Sequence, residues 1–497
     1  MPRSLALFFV ASVLAGVLGQ NVTVLRDALS ASGVQAVYPT DSTYSSVTKA
    51  FNRRYTVSPV AVAFPTNDQQ VSAAVAAGHA QNIPVVARSG GHSYIANGLG
   101  GTSGALVVDL SKMKSISVRS SNNTALIQTG NRLGDVALAL NAAGRALPHG
   151  TCSYVGIGGH SGYGGFGFFS RAKGLTLDTI RSATVVLANG TIASASSTVN
   201  SDLFWAIRGA SPSFGIVTSI EVSTFPAPSS VTVFQYGWDS LDITTASNAI
   251  SALQTYATTN IPAELGAELV FAPGSSSSHV YMGLTGAYYG SGDLSAILSP
   301  YLSKLPKSSW STITPGSYIA SVTTFASPDP LNTTTRADGS DTFYTASVMT
   351  PQGSPMSAAA IKAFVTYMAV QGFSASTDWF VEVELWGGSN SQINAIALDS
   401  TAFSKRDTLF AIQLYASSSN ASPPYPSDGV SFIKNMANSI VSNSPSGWSY
   451  GAYLNYADDQ LANANSLYYG SHYSRLQSIK RSIDPANTFR FPIGVSV

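Results

Sequence analysis

The chain has 497 residues, of which 26 are Lys or Arg and 25 are Asp or Glu, giving a net charge of +1 with only 10% of residues charged. That balance excludes a nucleic-acid binder, which needs a basic face to displace counterions from phosphate. With 44% hydrophobic residues the chain is too apolar for disorder and can build a large core, and its length makes two domains the default.

At the N-terminus Arg3 precedes the apolar run from Leu5 to Leu18, with small residues at Ala15, Gly16 and Gly19. The run is too short and too close to the terminus for a membrane span, so it predicts a cleaved signal peptide over 1–19 and a secreted, extracellular protein with no membrane partner. Five Asn-x-Ser/Thr sequons, at Asn21, Asn122, Asn189, Asn332 and Asn420, agree with a glycosylating route and with a monomer. One cysteine, Cys152, means that no intramolecular disulfide forms, so the thiol is buried, paired outside the chain, or chemically used.

From Pro59 to Phe64 a Val-rich run reads as a strand, and Asp68 caps an Ala/Val helix to about Gln81. Val85 to Ala87 is a short strand that enters a Gly-rich loop. Leu106 to Asp109 and Leu126 to Thr129 read as strands, Leu133 to Ala143 as a helix, and Ile180 to Ala188 as a strand turned by Asn189-Gly190. Ser201 then caps the helix Asp202 to Arg208, ahead of the strand Ile216 to Val222. The pattern breaks at Phe225-Pro226-Ala227-Pro228. Longer helices follow (about Ala246 to Thr258, Leu294 to Leu302, Ala358 to Ala369 and Val430 to Ile440), interleaved with strands Val280 to Tyr288, Phe343 to Met349, Trp379 to Leu385 and Leu409 to Tyr415. This region, 229–446, reads as one large sheet with helices on one face, after a first unit over 20–228 and before a return over 447–497; the class is α+β.

Two loops carry the chemistry. Arg88-Ser89-Gly90-Gly91-His92-Ser93-Tyr94 leaves a strand through small residues whose N–H groups can cradle a pyrophosphate. Gly150 to Gly167 holds eight glycines around Cys152, as expected for backbone pressed against a flat extended ligand. Gly162-x-Gly164-x-x-Gly167 matches the nicotinamide-dinucleotide fingerprint in form, but no strand leads into it and no good helix follows. Asp109 either ends a strand beside the pyrophosphate or caps the turn at Ser111. Histidines other than His92 lack metal-ligand spacing, and no metal is expected.

These loops, with Asp202-Leu203-Phe204-Trp205-Ala206-Ile207-Arg208-Gly209, Phe214-Gly215-Ile216-Val217-Thr218, Tyr453-Leu454-Asn455-Tyr456 and Asp484-Pro485 through Pro492, resemble the berberine-bridge-enzyme-like flavoproteins of the vanillyl-alcohol oxidase/p-cresol methylhydroxylase superfamily. Within it the chain is similar to the secreted fungal gluco- and chitooligosaccharide oxidases. The resemblance implies a two-domain p-cresol-methylhydroxylase-type FAD-binding fold, whose substrate domain is a large, mainly antiparallel sheet covered by helices. It implies bicovalent FAD, bound by His92 to the 8α carbon and by Cys152 to C6, and lined by Arg88, Ser89, Gly90, Gly91, Ser93, Gly98, Gly156, Gly158, Gly159, Gly162, Gly215, Ile216, Val217 and Asn455. For Ile216 and Val217 an ordinary apolar strand following a helix is nearly as good a reading.

By the same resemblance Tyr453 is the general base. A phenol titrates near pH 10, so some partner must favour its ionised form. Period two puts Glu382 and Glu384 on one strand face, and the resemblance points to Glu384 as the partner. A carboxylate would by itself raise a phenol's pKa, so Glu384 must accept the proton or share a hydrogen bond. Gln413 and Tyr94 are expected at the substrate, with Glu268, Glu382, Trp379 and Trp386 as groove candidates. The reaction implied is oxidation of a reducing-end sugar to its lactone with dioxygen as acceptor; the alternatives are a same-fold enzyme acting on a secondary metabolite or aromatic alcohol, and a non-catalytic glycan binder.

Overall fold

A computed structural model describes residues 22–497, so the expected signal peptide and the sequon at Asn21 lie outside the described residues. The first sheet has four strands in the order Gln35–Val37, Ala61–Phe64, Leu106–Asp109, Val85–Arg88, the last three mutually parallel. Side-chain alternation decides its two faces: Ala61, Ala63, Leu106 and Val108 pack under Leu25 and Leu29 of a helix over 22–31 and under the helix Asp68–Ala80, while Val62, Val86 and Val107 face Ala96 and Leu99. Parallel strands leave a crevice at their carboxyl ends, and here the Gly-Gly-His loop departs from Arg88 next to Asp109. The helix cap is Asn67, whose side chain accepts from Gln70 N at 3.0 Å, not Asp68, which lies in the first turn. Likewise Ser201 opens its helix, Ser201–Ala210, after a left-handed Asn200 that gives no side-chain cap.

An antiparallel five-stranded sheet follows, in the order Ile116–Arg119, Thr124–Gln128, Ile216–Ser223, Ile180–Val186, Ile192–Ser196. The third sheet has seven antiparallel strands: Trp310–Gly316, Val231–Asp242, His279–Tyr288, Leu265–Pro273, Asp378–Leu385, Thr408–Ser417 and Phe343–Pro351. Helices Ile243–Ala257, Ala358–Val370 and Gly429–Val441 cover one face, burying Leu269, Phe271, Val381, Val383, Leu385, Ile412 and Leu414. The intervening residues of the same strands, Glu268, Phe380, Glu382, Glu384 and Gln413, therefore point the other way, toward the first half of the chain.

Two buried cations tie the pieces together. Arg171, fully buried, donates to the carbonyls of Pro262, Leu265, Gly387 and Ser389, which fixes the sheet's cleft-side loops to the helix Ser170–Lys173. Lys480 on the last helix, Tyr473–Ile483, donates to Asp484 at 2.6 Å, to Ser213 O at 2.7 Å and to Phe489 O at 2.9 Å. Asp484 also accepts from Thr488 N and Phe489 N, so the Asp-Pro turn is a closed polar clasp, and Val85 N in turn donates to Thr488 O. Among the described residues no helix is long and apolar enough to cross a membrane, and the sequons at Asn122, Asn189, Asn332 and Asn420 are exposed.

Candidate active site

The two Gly-rich loops meet back to back. A Cβ on Gly156 would lie 2.1 Å from Gly90 N, and one on Gly90 would lie 2.4 Å from Gly156 N, so neither position admits a side chain. Ser89 stitches the contact: its hydroxyl donates to Thr129 O and accepts from Gly158 N at 3.2 Å. By contrast, Gly159 has nothing within 4 Å of a Cβ position, so its surface is open to the cleft. The helix Ile157–Tyr163 ends where the Gly162-x-Gly164-x-x-Gly167 pattern begins, which is why that pattern is no dinucleotide fingerprint here.

Between these loops and the large sheet runs a cleft with about 1820 Å³ of empty space, its solvent-open mouth included. A second hollow lined by Arg88, Gly98, Asp109 and Ser111 continues it past the Gly-Gly-His loop. Asp109 caps the turn, its Oδ1 accepting from Ser111 N at 2.8 Å, while Oδ2 accepts from Arg88 Nε at the end of the neighbouring strand. Ser93, Gly91, Gly215 and Val217 also line the space. Ile216 does not: it is fully buried under the first sheet, as strand alternation requires beside a cleft-facing Val217. Gly162 does not either, because it packs against Ser211.

His92 and Cys152 both face the cleft. The His92 ring stacks on Phe51 at 3.6 Å between centroids, and its Nδ1 is buried with no hydrogen-bond partner. Such an orphaned nitrogen asks for a bond that the chain itself does not make. Cys152 is exposed to the cleft but surrounded by protein at longer range; burial and then the charge of Glu382 push its thiol up to about 11, against the help of Thr151. The cysteine is therefore held as a thiol, not as the ready thiolate that a reactive cysteine suggests. The open Gly159 surface, the orphaned Nδ1 and the facing thiol fit a flat cofactor held by two covalent bonds.

Tyr453 lies deeper. Its hydroxyl oxygen accepts from Gly165 N at 2.8 Å, Phe166 N at 3.3 Å and Asn455 Nδ2 at 2.8 Å. Gly165 and Phe166 can approach because Gly164 has no side chain: a Cβ there would sit 2.7 Å from the phenol oxygen. Burial raises the phenol's pKa; the three N–H donors pull it back, and Glu384 pushes it up. All three partners are donors, so the phenol's own hydrogen has no acceptor among them.

Glu384 is not bonded to Tyr453. Its Oε1 accepts from Tyr456 OH at 2.5 Å and its Oε2 from Trp386 Nε1 at 2.8 Å, so the group that favours the ionised Tyr453 is the N–H cradle and not a carboxylate. Trp386, completely buried, lies edge-on to Tyr453 and flat on Phe166, and Trp379 sits in the core beneath the helices; neither lines the groove. Glu268, Glu382 and Glu384 converge, with carboxylate oxygens all within 4.8 Å of one another. Burial raises all three, and mutual repulsion adds to it for Glu268 and Glu384, the last reaching about 8. Gln413 donates to Tyr94 OH at 3.3 Å beside them. Phe380 was missed, although its period-two spacing from Glu382 puts it on the cleft face, and Tyr456 was quoted in its motif without a role.

A carboxylate whose folded pKa lies above its ordinary 4.5 binds more protons folded than unfolded, so the native state loses stability as pH rises from about 4.5 to about 8. We expect Glu384→Gln to raise the melting temperature, relative to the parent, more at the top of that window than at the bottom. Equal shifts at both ends would contradict the burial of that charge.

Comparison with known proteins identifies the family. The FAD binding domain family matches residues 59–196, and the berberine and berberine-like family matches 452–496. The chain is 38% identical to a chitooligosaccharide oxidase of Gibberella zeae over 97% of both chains, and 39% identical to an FAD-linked oxidoreductase of Metarhizium anisopliae over 90% of this chain and 86% of that one. Among solved structures, glucooligosaccharide oxidase from Acremonium strictum, whose FAD is described as 6-S-cysteinyl, 8α-N1-histidyl, superposes with a TM-score of 0.88 at 34% identity, covering 95% of this chain and 99% of that one. The fold is thus the vanillyl-alcohol oxidase/p-cresol methylhydroxylase type, and the chain belongs to the berberine-bridge-enzyme-like FAD-linked oxidases.

Proposed function

We propose that this protein is an extracellular oligosaccharide oxidase that takes the reducing-end anomeric hydroxyl to the lactone, with dioxygen as the final acceptor. The observation that carries the reading is Tyr453, a phenol oxygen held by three N–H donors in the same cleft as His92, Cys152 and an acceptor-rich wall. His92 and Cys152 would hold FAD, which when bound would supply a two-electron acceptor for hydride from the anomeric carbon, reoxidisable by dioxygen. Tyr453 takes the hydroxyl proton. Its N–H donors favour the ionised phenolate that this step requires, because hydrogen bonds to the charged form pull the phenol's pKa down. Glu268, Glu382 and Gln413 offer acceptors to sugar hydroxyls, and Tyr94 and Phe380 offer apolar ring faces. Secretion is supported by the leader pattern of 1–19 and by the exposed sequons.

Because burial holds the resting phenol protonated above its ordinary range, activity should climb with rising pH through neutral and alkaline conditions without levelling off below the ordinary phenol pKa. Asn455→Ala removes one donor to the ionised form, so the climb should shift to higher pH and kcat at neutral pH should fall by about tenfold; an unshifted profile would remove Asn455 from this role. The function itself is tested with cello-, xylo-, malto- and chito-oligosaccharides: one series should release hydrogen peroxide and give the aldonic acid by mass. If every sugar is inert while the flavin is intact, an aromatic or secondary-metabolite alcohol becomes the better substrate class.

A further inference from the structure

The loop over 333–342, which lies between the helix Tyr318–Ala326 and the strand Phe343–Pro351, brings Asp338 to the far side of the His92 ring. Its Oδ2 is 3.6 Å from His92 Nε2, while Nδ1 on the opposite edge is buried and unpartnered. Phe51, stacked at 25° to the imidazole, fixes the ring's plane. A neutral imidazole carries one N–H and one lone pair, and the partner of one nitrogen decides which is which. An N–H at Nδ1 would be a buried donor without an acceptor; an N–H at Nε2 faces a carboxylate.

We propose that Asp338 is the positioning residue for covalent attachment at His92: it holds the Nε2–H tautomer and leaves the unpartnered Nδ1 lone pair as the nucleophile. The inference rests on the proposed His92–FAD bond. In that attachment a C–N bond replaces one C–H bond of the flavin's 8-methyl group. The methyl proton and the Nε2 proton are released, two electrons remain on the flavin, and dioxygen removes them with two protons as hydrogen peroxide. As Nδ1 forms its bond the ring becomes an imidazolium, which Asp338 stabilises and from which it draws the Nε2 proton, the orienting role a carboxylate plays behind a catalytic histidine.

The proposed Cys152 bond is to a different flavin carbon, and Asp338 reaches that thiol only as a charge that raises its pKa, so loss of the carboxylate should hinder the His92 bond and not the Cys152 bond. The test uses the full chain produced under flavin limitation, then supplied with FAD and sampled over time, with flavin-bearing peptides around His92 and Cys152 quantified by mass spectrometry. In Asp338→Asn the His92 bond should form about tenfold more slowly or not at all while the Cys152 bond forms at the parental rate or faster, because its thiol loses a neighbouring negative charge, and Asp338→Glu should restore the first. Parental attachment at His92 in Asp338→Asn would overturn the proposal, as would equal loss of both bonds, which marks a general disturbance of the cleft. Absence of a flavin–His92 peptide in the parent would instead remove the underlying bond.

Discussion

Tyr453→Phe should lower kcat by about 10³-fold with little change in KM and with the flavin still attached. The ring keeps its packing, because it is wedged edge-on against Trp386 and Tyr456 with Phe403 behind, and none of those contacts uses the oxygen. What disappears is the only atom in the cradle able to take a proton. The change also strands Gly165 N, Phe166 N and one Asn455 donor bond, which costs about 1–3 kcal/mol for each donor that water cannot reach. A moderately lower melting temperature should therefore accompany the kinetic loss, and the two separate cleanly: steady-state kinetics on the folded, yellow protein reads the base, and calorimetry reads the cradle. A variant that retained kcat within tenfold of the parent would remove Tyr453 as the base.

Asp484→Ala should be the most destabilising single change on the FAD side of the molecule. Lys480 and Asp484 are both completely inaccessible, so removing the carboxylate leaves an ammonium in the interior facing only two carbonyls, and it also leaves Thr488 N and Phe489 N without their acceptor. Breaking one side of a buried pair costs about 3–5 kcal/mol, which for a chain of this size lowers the melting temperature by roughly 5 °C or more. Lys480→Met combined with Asp484→Leu removes the unpaired charge and should recover part of the loss, with the two orphaned amides accounting for the remainder. The consequence reaches the cofactor, since Ser213, which Lys480 holds, lies in the segment that leads from Ser211 and Pro212 to Gly215 at the cleft wall. Flavin content per mole of folded Asp484→Ala should fall with stability; an unchanged melting curve would mean that the clasp is solvated.

How far these features can be read from sequence depends on whether the determinant is local. Alternation along Phe380 to Leu385 announces one buried and one polar face, and the sheet duly puts Val381 and Val383 under the helices and Glu382 and Glu384 in the cleft. The same rule should have kept Trp379 out of the groove, because it shares parity with Val381. Trp310–Gly316 carries no hydrophobic period because it is exposed along its whole length, whereas Val231–Asp242 and Leu265–Pro273 are apolar enough to read as strands and were not placed from the sequence. The Gly-rich loops were legible as a close approach of backbone to something flat; that the something includes each other, Gly90 against Gly156, was not, because contact between loops is a property of the fold. Glu384 was legible as a buried-face carboxylate near Tyr453, but its bonds to Tyr456 and Trp386 depend on side-chain directions over one strand end that spacing does not encode. Asp338 carried no local signal at all, since only the tertiary fold brings its loop to His92.

The most direct test of the central claim is anaerobic mixing of the purified flavoprotein with each oligosaccharide series while the flavin absorbance is followed, using protein whose yellow colour stays in the pellet after acid precipitation. At least one reducing oligosaccharide series should bleach the flavin rapidly, colour should return on admitting air, and bleaching should be about 10³-fold slower in Tyr453→Phe. Flavin that stays oxidised with every reducing sugar, in protein that retains its colour through acid, would contradict oxidation of a sugar at this site.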